Sequence, residues 1–199
     1  MALIDRVKKM LLTPKEEWPV VDAEPATVGG LYTGYIIPLA AIGPIASIIG
    51  WSVFGMRLPF LGSMRLPIGI SVRNALVVYV LGLIGVFVLG LIIDALAPTF
   101  GGQKNQIQAL KVAAYSYTAA WVGAVFNVFP TLAILGALIS LYSLYLLYLG
   151  LPVLMKAPQE KAVGYTVVVC VVAIVLWIVI GVIVSQFAWR PGAMGVPGM

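Results

Sequence analysis

The sequence contains no histidine and only one cysteine among its 199 residues. Without histidine, the most common proton shuttle and metal ligand is missing, and so are the Ser-His and Cys-His pairs of many covalent hydrolases. Cys170 has no second cysteine to pair with, and its position in an apolar run indicates a small core residue. The sequence therefore predicts a protein without enzymatic activity, without a cofactor and without a metal site.

Charge is also scarce, because 10% of the residues are charged, whereas soluble domains average roughly a quarter. Hydrophobic residues make up 62% of the chain and the mean hydropathy is +1.07. Such a chain cannot cover its surface with polar groups, so lipid must be part of its solvent. The net charge of +5 comes from basic residues beside apolar segments, a pattern typical of membrane topology and lipid headgroup contacts rather than of nucleic-acid binding.

Long apolar runs define the predicted fold, which is all-α: an integral membrane bundle of five transmembrane helices. A spanning helix needs about 20 mainly apolar residues. The five segments that qualify, all within residues 31–187, are residues 31–55, 74–97, 112–129, 131–151 and 163–187. Residues 112–151 as one helix would be about 60 Å long, twice the bilayer core of about 30 Å. Pro130 near the middle of this run therefore predicts two helices and a tight turn.

The two ends of the chain flank this domain. Residues 1–30 are predicted to be cytoplasmic. Within them, residues 1–13 form an amphipathic helix, and residues 14–30 form a polar connector with Trp18 at the headgroup level. The helix is expected to lie on the membrane surface, because its apolar and charged residues separate onto two faces. Its apolar face has Leu3, Ile4, Val7, Met10 and Leu11, and its charged face has Asp5, Arg6, Lys8 and Lys9. Residues 188–199 are Gly/Pro-rich and are predicted to be a flexible external tail.

Basic residues in the loops predict the orientation. With five spans, one side of the membrane receives Arg6, Lys8, Lys9, Lys15, Lys104, Lys111, Lys156 and Lys161. The other side receives Arg57, Arg65, Arg73 and Arg190. The positive-inside rule then predicts a cytoplasmic N-terminus and an external C-terminus.

A few polar residues inside the predicted helices are candidates for a ligand or ion site. Asp94 is the only acid within the five helices, and Tyr115 and Ser116 begin the third helix on the same side of the membrane. Since a buried carboxylate needs a hydrogen-bond donor, these three residues are predicted to form a polar cluster, which Tyr142 or Tyr145 completes. Two interpretations stay open: a transport or ligand site, or a hydrogen-bond network that holds the helices together.

The order of several segments resembles the bacterial branch of the Yip family, named for Ypt/Rab-interacting membrane proteins. The segments are LLTPKEEWPVVDAEP, FGGQKNQIQALKVAAYSYTAAW, the turn Phe129-Pro130 and YSLYLLYLGLPVLMKAPQEKA. The resemblance covers residues 11–185 and implies five transmembrane helices with a cytoplasmic N-terminus. Eukaryotic members of that family act in vesicle traffic and bind Rab GTPases through a longer N-terminal region. Their Asp-Leu-x-Gly-Pro signature has its nearest match here in Ala41-Ile42-Gly43-Pro44, so a Rab-like partner is not expected.

Two functions follow from these observations. The first is a non-enzymatic Yip-like protein of the bacterial inner membrane, which organises the membrane or scaffolds proteins. Its partners would be membrane lipids together with a second copy of the chain or another membrane protein. The alternative is a small transporter or channel for an ion, a lipid or a small solute, which rests on Asp94 and on the tyrosines.

Overall fold

The computed structural model describes residues 2–58 and 62–188. Two short helices, α1 (Leu3–Leu12) and α2 (Pro14–Ala23), come first. They are followed by α3 (Val28–Phe54), the strands β1 (Met56–Leu58) and β2 (Gly62–Met64), α4 (Ile68–Leu96), α5 (Gln106–Ser116), α6 (Thr118–Gly123), α7 (Pro130–Met155) and α8 (Gln159–Ala188). The fold is helical apart from this pair of strands.

Helix α2 occupies the start of the segment that the sequence analysis interpreted as a connector, so that interpretation is wrong for residues 14–23. Pro14 lies at the first helical position, where its missing N–H removes no hydrogen bond. Glu16 and Glu17 lie in the first turn, where the helix dipole favours negative charge. Helices α1 and α2 are called the cap below, since together they cover one end of the bundle.

Four helices in the described part of the chain are long and apolar enough to cross a membrane. They are Val28–Phe54, Ile68–Phe100, Pro130–Met155 and Gln159–Gln186. The second of these is α4 continued through a 3₁₀ turn, Ala97–Phe100. Many large apolar side chains on α4, α7 and α8 point outward, as expected for helices that contact lipid.

The predicted third span is divided. Helix α5 ends at Ser116, α6 follows after Tyr117, and a 3₁₀ stretch, Ala124–Val128, continues it. At the break, the Thr118 hydroxyl donates to the Tyr115 carbonyl at 2.6 Å and lies 2.7 Å from the Tyr35 hydroxyl of α3. Phe129 is extended and Pro130 begins α7. The fifth transmembrane helix therefore stays a prediction.

Helix α3 deviates from α-helical geometry around its prolines. A π-helical stretch, Tyr32–Ile36, precedes Pro38, and a turn at Ala41 precedes Pro44. A proline has no N–H to donate, so the ladder of backbone hydrogen bonds is interrupted at each of these positions. The Tyr79 hydroxyl of α4 donates to the Ile37 carbonyl at 3.0 Å and satisfies one acceptor near the interruption.

The turn after α4 contains Phe100-Gly101-Gly102, the start of one of the segments that resemble the Yip family. Gly101 has a φ of 75°, a conformation that favours glycine. A Cβ on Gly102 would lie 2.7 Å from the carbonyl oxygen of Met155, so a side chain there would clash with the end of α7. The two glycines therefore allow this turn to pack against α7.

The loop between α3 and α4 contains the antiparallel pair of β1 and β2, which the sequence did not predict. Met56 pairs with Met64, and Leu58 pairs with Gly62. The predicted tail, residues 188–199, lies outside the described residues apart from Ala188.

Candidate functional site

The most concentrated charge in the described structure lies between the cap and the bundle. Arg6 of α1 donates from Nη1 to Glu17 Oε1 and from Nη2 to Glu24 Oε2. Arg6 is 5% exposed and Glu17 is 3% exposed, so this ion pair is shielded from solvent. The guanidinium carbon lies 5.8 Å from the centre of the Tyr115 ring, within the range of a cation–π contact. Arg6 therefore joins both cap helices to α5.

The protonation of Arg6 follows from these neighbours. Burial alone would lower the pKa of the guanidinium, but the hydrogen bond to Glu24 and the negative charges of Glu24 and Glu17 raise it above its ordinary value. The predicted placement of Arg6 on one charged face with Asp5, Lys8 and Lys9 is wrong, because Arg6 is buried. Spacing along α1 alone cannot show this, since the acidic partners lie on and just after α2.

The C-terminal end of α2 is held by polar side chains from the bundle. The last carbonyls of a helix have no partner within the helix and favour a nearby cation. Lys111 of α5 supplies that cation, because its Nζ donates to the carbonyls of Val21, at 2.7 Å, and Glu24. Burial lowers the pKa of the Lys111 ammonium group below its ordinary value. The nearby charges of Asp22 and Glu24 oppose this shift but do not cancel it.

Asp22 receives two further contacts at the same place. Gln108 Nε2 donates to its carbonyl and to its carboxylate, each at 3.0 Å, and Lys156 forms an ion pair with the other carboxylate oxygen. Lys156 follows α7, so α2 is joined to both α5 and α7. Six charged side chains, balanced in sign, thus form one network: Arg6, Lys111, Lys156, Glu17, Asp22 and Glu24.

Apolar contacts complete the attachment of the cap. Trp18 has no exposed surface, and its ring lies against Gly150 of α7. The predicted headgroup anchor at Trp18 is therefore wrong, because the ring is inserted between helices. The Tyr142 hydroxyl of α7 donates to the Leu11 carbonyl of α1 at 3.0 Å. Tyr142 therefore fixes the end of α1.

The structure does not bring the predicted polar cluster together through hydrogen bonds. Asp94 Oδ1 and the Ser116 hydroxyl are buried, and neither has a hydrogen-bond partner within residues 2–58 and 62–188. Tyr115 turns towards the cap, with its ring 4.5 Å from that of Tyr35 and 6.4 Å from that of Trp18.

The two remaining candidates lie next to each other on α7, with ring centres 5.4 Å apart: Tyr142, bonded to α1, and Tyr145, which is exposed. The predicted hydrogen bonding of Asp94 Oδ1 and Ser116 within this cluster is wrong, and Tyr115 packs against Arg6 and Trp18 of the cap and Tyr35 of α3. A role of these residues in binding a ligand or an ion stays a prediction.

The charge network joins the cap to α5 and α7. Its carboxylates are engaged by cations or amide groups, and its two buried cations, Arg6 and Lys111, each have acceptors. The described residues include no group of three His, Cys, Asp or Glu side chains that could hold a metal ion.

A family model for the Yip1 domain matches residues 8–180. The chain belongs to the Yip1 domain family. The matched region of this Yip1 domain begins inside α1 and ends inside α8, so it includes α2 and its contacts with α5 and α7. No curated protein and no solved structure matches the chain.

Sequence reasoning missed this network, although one signal was present. In a chain with 10% charged residues, three acids stand within eight positions, at Glu17, Asp22 and Glu24. Buried charges beside an apolar domain need partners of opposite charge. A cluster of three acids in such a chain therefore predicts basic partners elsewhere in the sequence.

Proposed function

We propose that this Yip1-domain protein is a non-enzymatic protein of the bacterial inner membrane that organises lipid or scaffolds membrane-protein partners through its cap. The observation that carries the proposal is the rigid attachment of the cap by the buried Arg6 and Lys111 contacts. A segment held in this way presents one fixed surface to its surroundings.

The outward face of α1 combines apolar and basic residues. Ile4 is 66% exposed and Leu12 is 79% exposed, and the side chains of Lys8 and Lys9 are exposed between them. This composition is typical of a helix whose apolar residues enter the boundary between headgroups and acyl chains. A lysine near an anionic surface contributes about 1 kcal/mol of attraction.

The contact with α7 fixes the orientation of α1, because the Tyr142 hydroxyl donates to the Leu11 carbonyl. The same face of α1 therefore always points away from the bundle. A rigid helix inserted on one side of the bilayer displaces lipid in one leaflet only, which favours local curvature and attracts anionic lipid.

The proposal includes five spans. The predicted third span, residues 112–129, has 18 residues, within the range of about 17–25 residues that cross a bilayer core. With the positive-inside orientation, the cap and Lys156 then share the cytoplasmic side.

Reporter fusions test this topology. A reporter fused after Lys15 is expected on the cytoplasmic side, and one fused after Arg190 on the external side, because an odd number of spans separates them. Activity assays of paired cytoplasmic and periplasmic reporters give the readout. Fusions that both report the same side would show an even number of spans.

Reconstitution tests the function. In vesicles of phosphatidylcholine containing phosphatidylglycerol, the protein is expected to enrich the anionic lipid around itself and to reduce vesicle diameter. The Lys8→Glu/Lys9→Glu variant should lose both effects, because it reverses the charge of the outward face. Lys104→Glu is the matched control, since Lys104 is exposed but lies outside the cap. Unchanged lipid enrichment in the double variant, or solute flux that Asp94→Asn abolishes without any change of vesicle shape, would contradict the proposal.

A further inference from the structure

A second feature lies away from the cap, within the membrane-spanning part of the bundle. A cavity of about 520 Å³ is enclosed by α3, α4, α6 and α8. This volume falls in the range of sites that bind small molecules. Along α4 it extends from Ser71 to Val86, which corresponds to about 22 Å of helix. The cavity is therefore long and narrow, in the manner of a site for an extended chain.

Small residues create this space. Gly43 of α3, Gly82 and Gly85 of α4 and Ala120 of α6 all line the cavity. A Cβ on Gly82 would meet no atom within 4 Å, so the space beside Gly82 is not filled by a neighbouring side chain. Protein interiors are normally close-packed, and an unfilled volume of this size between helices calls for an occupant.

The two ends of the cavity differ in polarity. Ser71 and Asn74, at the end farther from the cap, each have a buried oxygen without a hydrogen-bond partner in the part of the chain that the structure describes. Asn74 Oδ1 can only accept a hydrogen bond, so a matching ligand group must donate one. The opposite end, near Gly85 and Val86, is mainly apolar.

The lining residues also limit the charge of a ligand. The side chains around the cavity are apolar, aromatic, hydroxyl or amide groups, with no formal charge among them. A phosphate or an ammonium group placed there would be buried without a counter-ion, which is unfavourable in a low-dielectric environment. A neutral hydroxyl group meets both requirements, because it donates to Asn74 and carries no charge.

One wall of the cavity faces the bilayer. Trp177 of α8 lines the cavity and is 48% exposed on the outer surface, beside the exposed Ile174 and Ile178. Its Nε1 donates to the Tyr117 hydroxyl at 3.1 Å, and Tyr117 is also part of the lining. A ligand that enters past Trp177 comes from the hydrocarbon region rather than from water.

We propose that the cavity binds the acyl chain of a neutral lipid, with the chain between α4 and α8 and a hydroxylated head at Ser71 and Asn74. This site is separate from the cap and does not depend on the function proposed for it. The chemistry that identifies the ligand is one extended apolar chain and an uncharged head that donates hydrogen bonds.

The natural tryptophans supply a readout for this proposal. Trp51, Trp121 and Trp177 line the cavity, so a bromine atom on a bound acyl chain quenches their fluorescence. The full chain is placed in phosphatidylcholine nanodiscs, and brominated monoacylglycerol is added in steps. Quenching is expected to have two components. Binding in the cavity gives a component that saturates at low content of brominated lipid, and contact with the exposed surface gives a second component that rises slowly.

Two glycine variants separate the site from the surface. Gly82→Phe fills the cavity and should remove the saturable component. Gly181→Phe is the matched control, because a Cβ there also meets no atom within 4 Å but Gly181 is exposed and outside the lining. It should leave the saturable component unchanged. Quenching that is linear in the wild type, or equal in all three proteins, would overturn the proposal.

The polar end is tested by Asn74→Leu. Loss of the acceptor should weaken saturable binding about tenfold. The melting temperature without added lipid should stay the same or rise, because an unpaired buried oxygen is removed. A merely structural Asn74 would instead give a lower melting temperature and unchanged affinity. Equal saturable quenching by brominated lysophosphatidylglycerol, whose head is anionic, would overturn the assignment of a neutral head.

Discussion

Replacing Arg6 with methionine is expected to lower the free energy of unfolding by about 3–5 kcal/mol, the usual cost of breaking a buried ion pair. The loss arises because Glu17, which is 3% exposed, would be left buried without its cationic partner. Glu24 should contribute less, since its side chain is 42% exposed and water can solvate it again. Thermal unfolding and denaturant titration in detergent measure the change.

Two controls make this result specific. Lys8→Met removes a charge from the exposed face of the same helix and should change stability by no more than about 0.5 kcal/mol. The double variant Arg6→Met/Glu17→Leu should recover most of the loss, because no buried charge is left unpaired. An Arg6→Met protein as stable as Lys8→Met would contradict the role given to this ion pair.

The membrane character of the fold could be predicted because it follows from composition and run length alone. Four of the five predicted spans coincide with apolar helices of 18 or more residues in the described part of the chain. The remaining segment is divided at Tyr117, between α5 and α6. This division has no signature in hydrophobic periodicity, since both α5 and α6 continue the same apolar run.

The candidate site was harder to predict, because its residues are far apart in the chain. Arg6 and Tyr115, or Asp22 and Lys156, come together only when the cap folds back on α5 and α7. Three prolines and several charges within residues 14–30 predict a polar connector. Pro14 instead starts a helix, and Pro19 lies within its first two turns on the exposed side, where a missing N–H leaves the contacts with the bundle intact.

The docking of the cap also affects the residues around the depth of Asp94. A single acid in an apolar helix is a sound indicator of function, but the residues at similar depth on a neighbouring helix are its partners only if they face it. Tyr115 faces the cap because Arg6, Tyr35 and Trp18 surround its ring. The depth of Asp94 and Tyr115 in the membrane could be estimated from the sequence. The direction in which each side chain faces could not, because it depends on the docking of the cap, which was not predicted.

Trp18→Ala is expected to lower the free energy of unfolding by about 3–5 kcal/mol, because removal of a fully buried tryptophan leaves a void between α2 and α7. Loosening of the cap should also expose the peptide bonds after Lys8, Lys9 and Lys15 to trypsin. Limited proteolysis therefore reports the release of the cap separately from global unfolding. The substitution lies in the cap and outside the helices of the bundle, so the bundle itself should keep its helical content by circular dichroism.

The partner residue provides a reciprocal test. A Cβ on Gly150 would lie 2.6 Å from Trp18 Cζ2, so Gly150→Ala should force the two helices apart and destabilise the protein by about 1–3 kcal/mol. Gly34→Ala is the matched control, because a Cβ there meets no atom within 4 Å and alanine favours a helix. Trp18→Phe replaces the indole with a smaller ring and makes room for the added methyl group. The double variant Trp18→Phe/Gly150→Ala should therefore lose less stability than the sum of the two single variants. If Gly150→Ala melts like Gly34→Ala and trypsin still spares the cap, then Trp18 does not lie against α7.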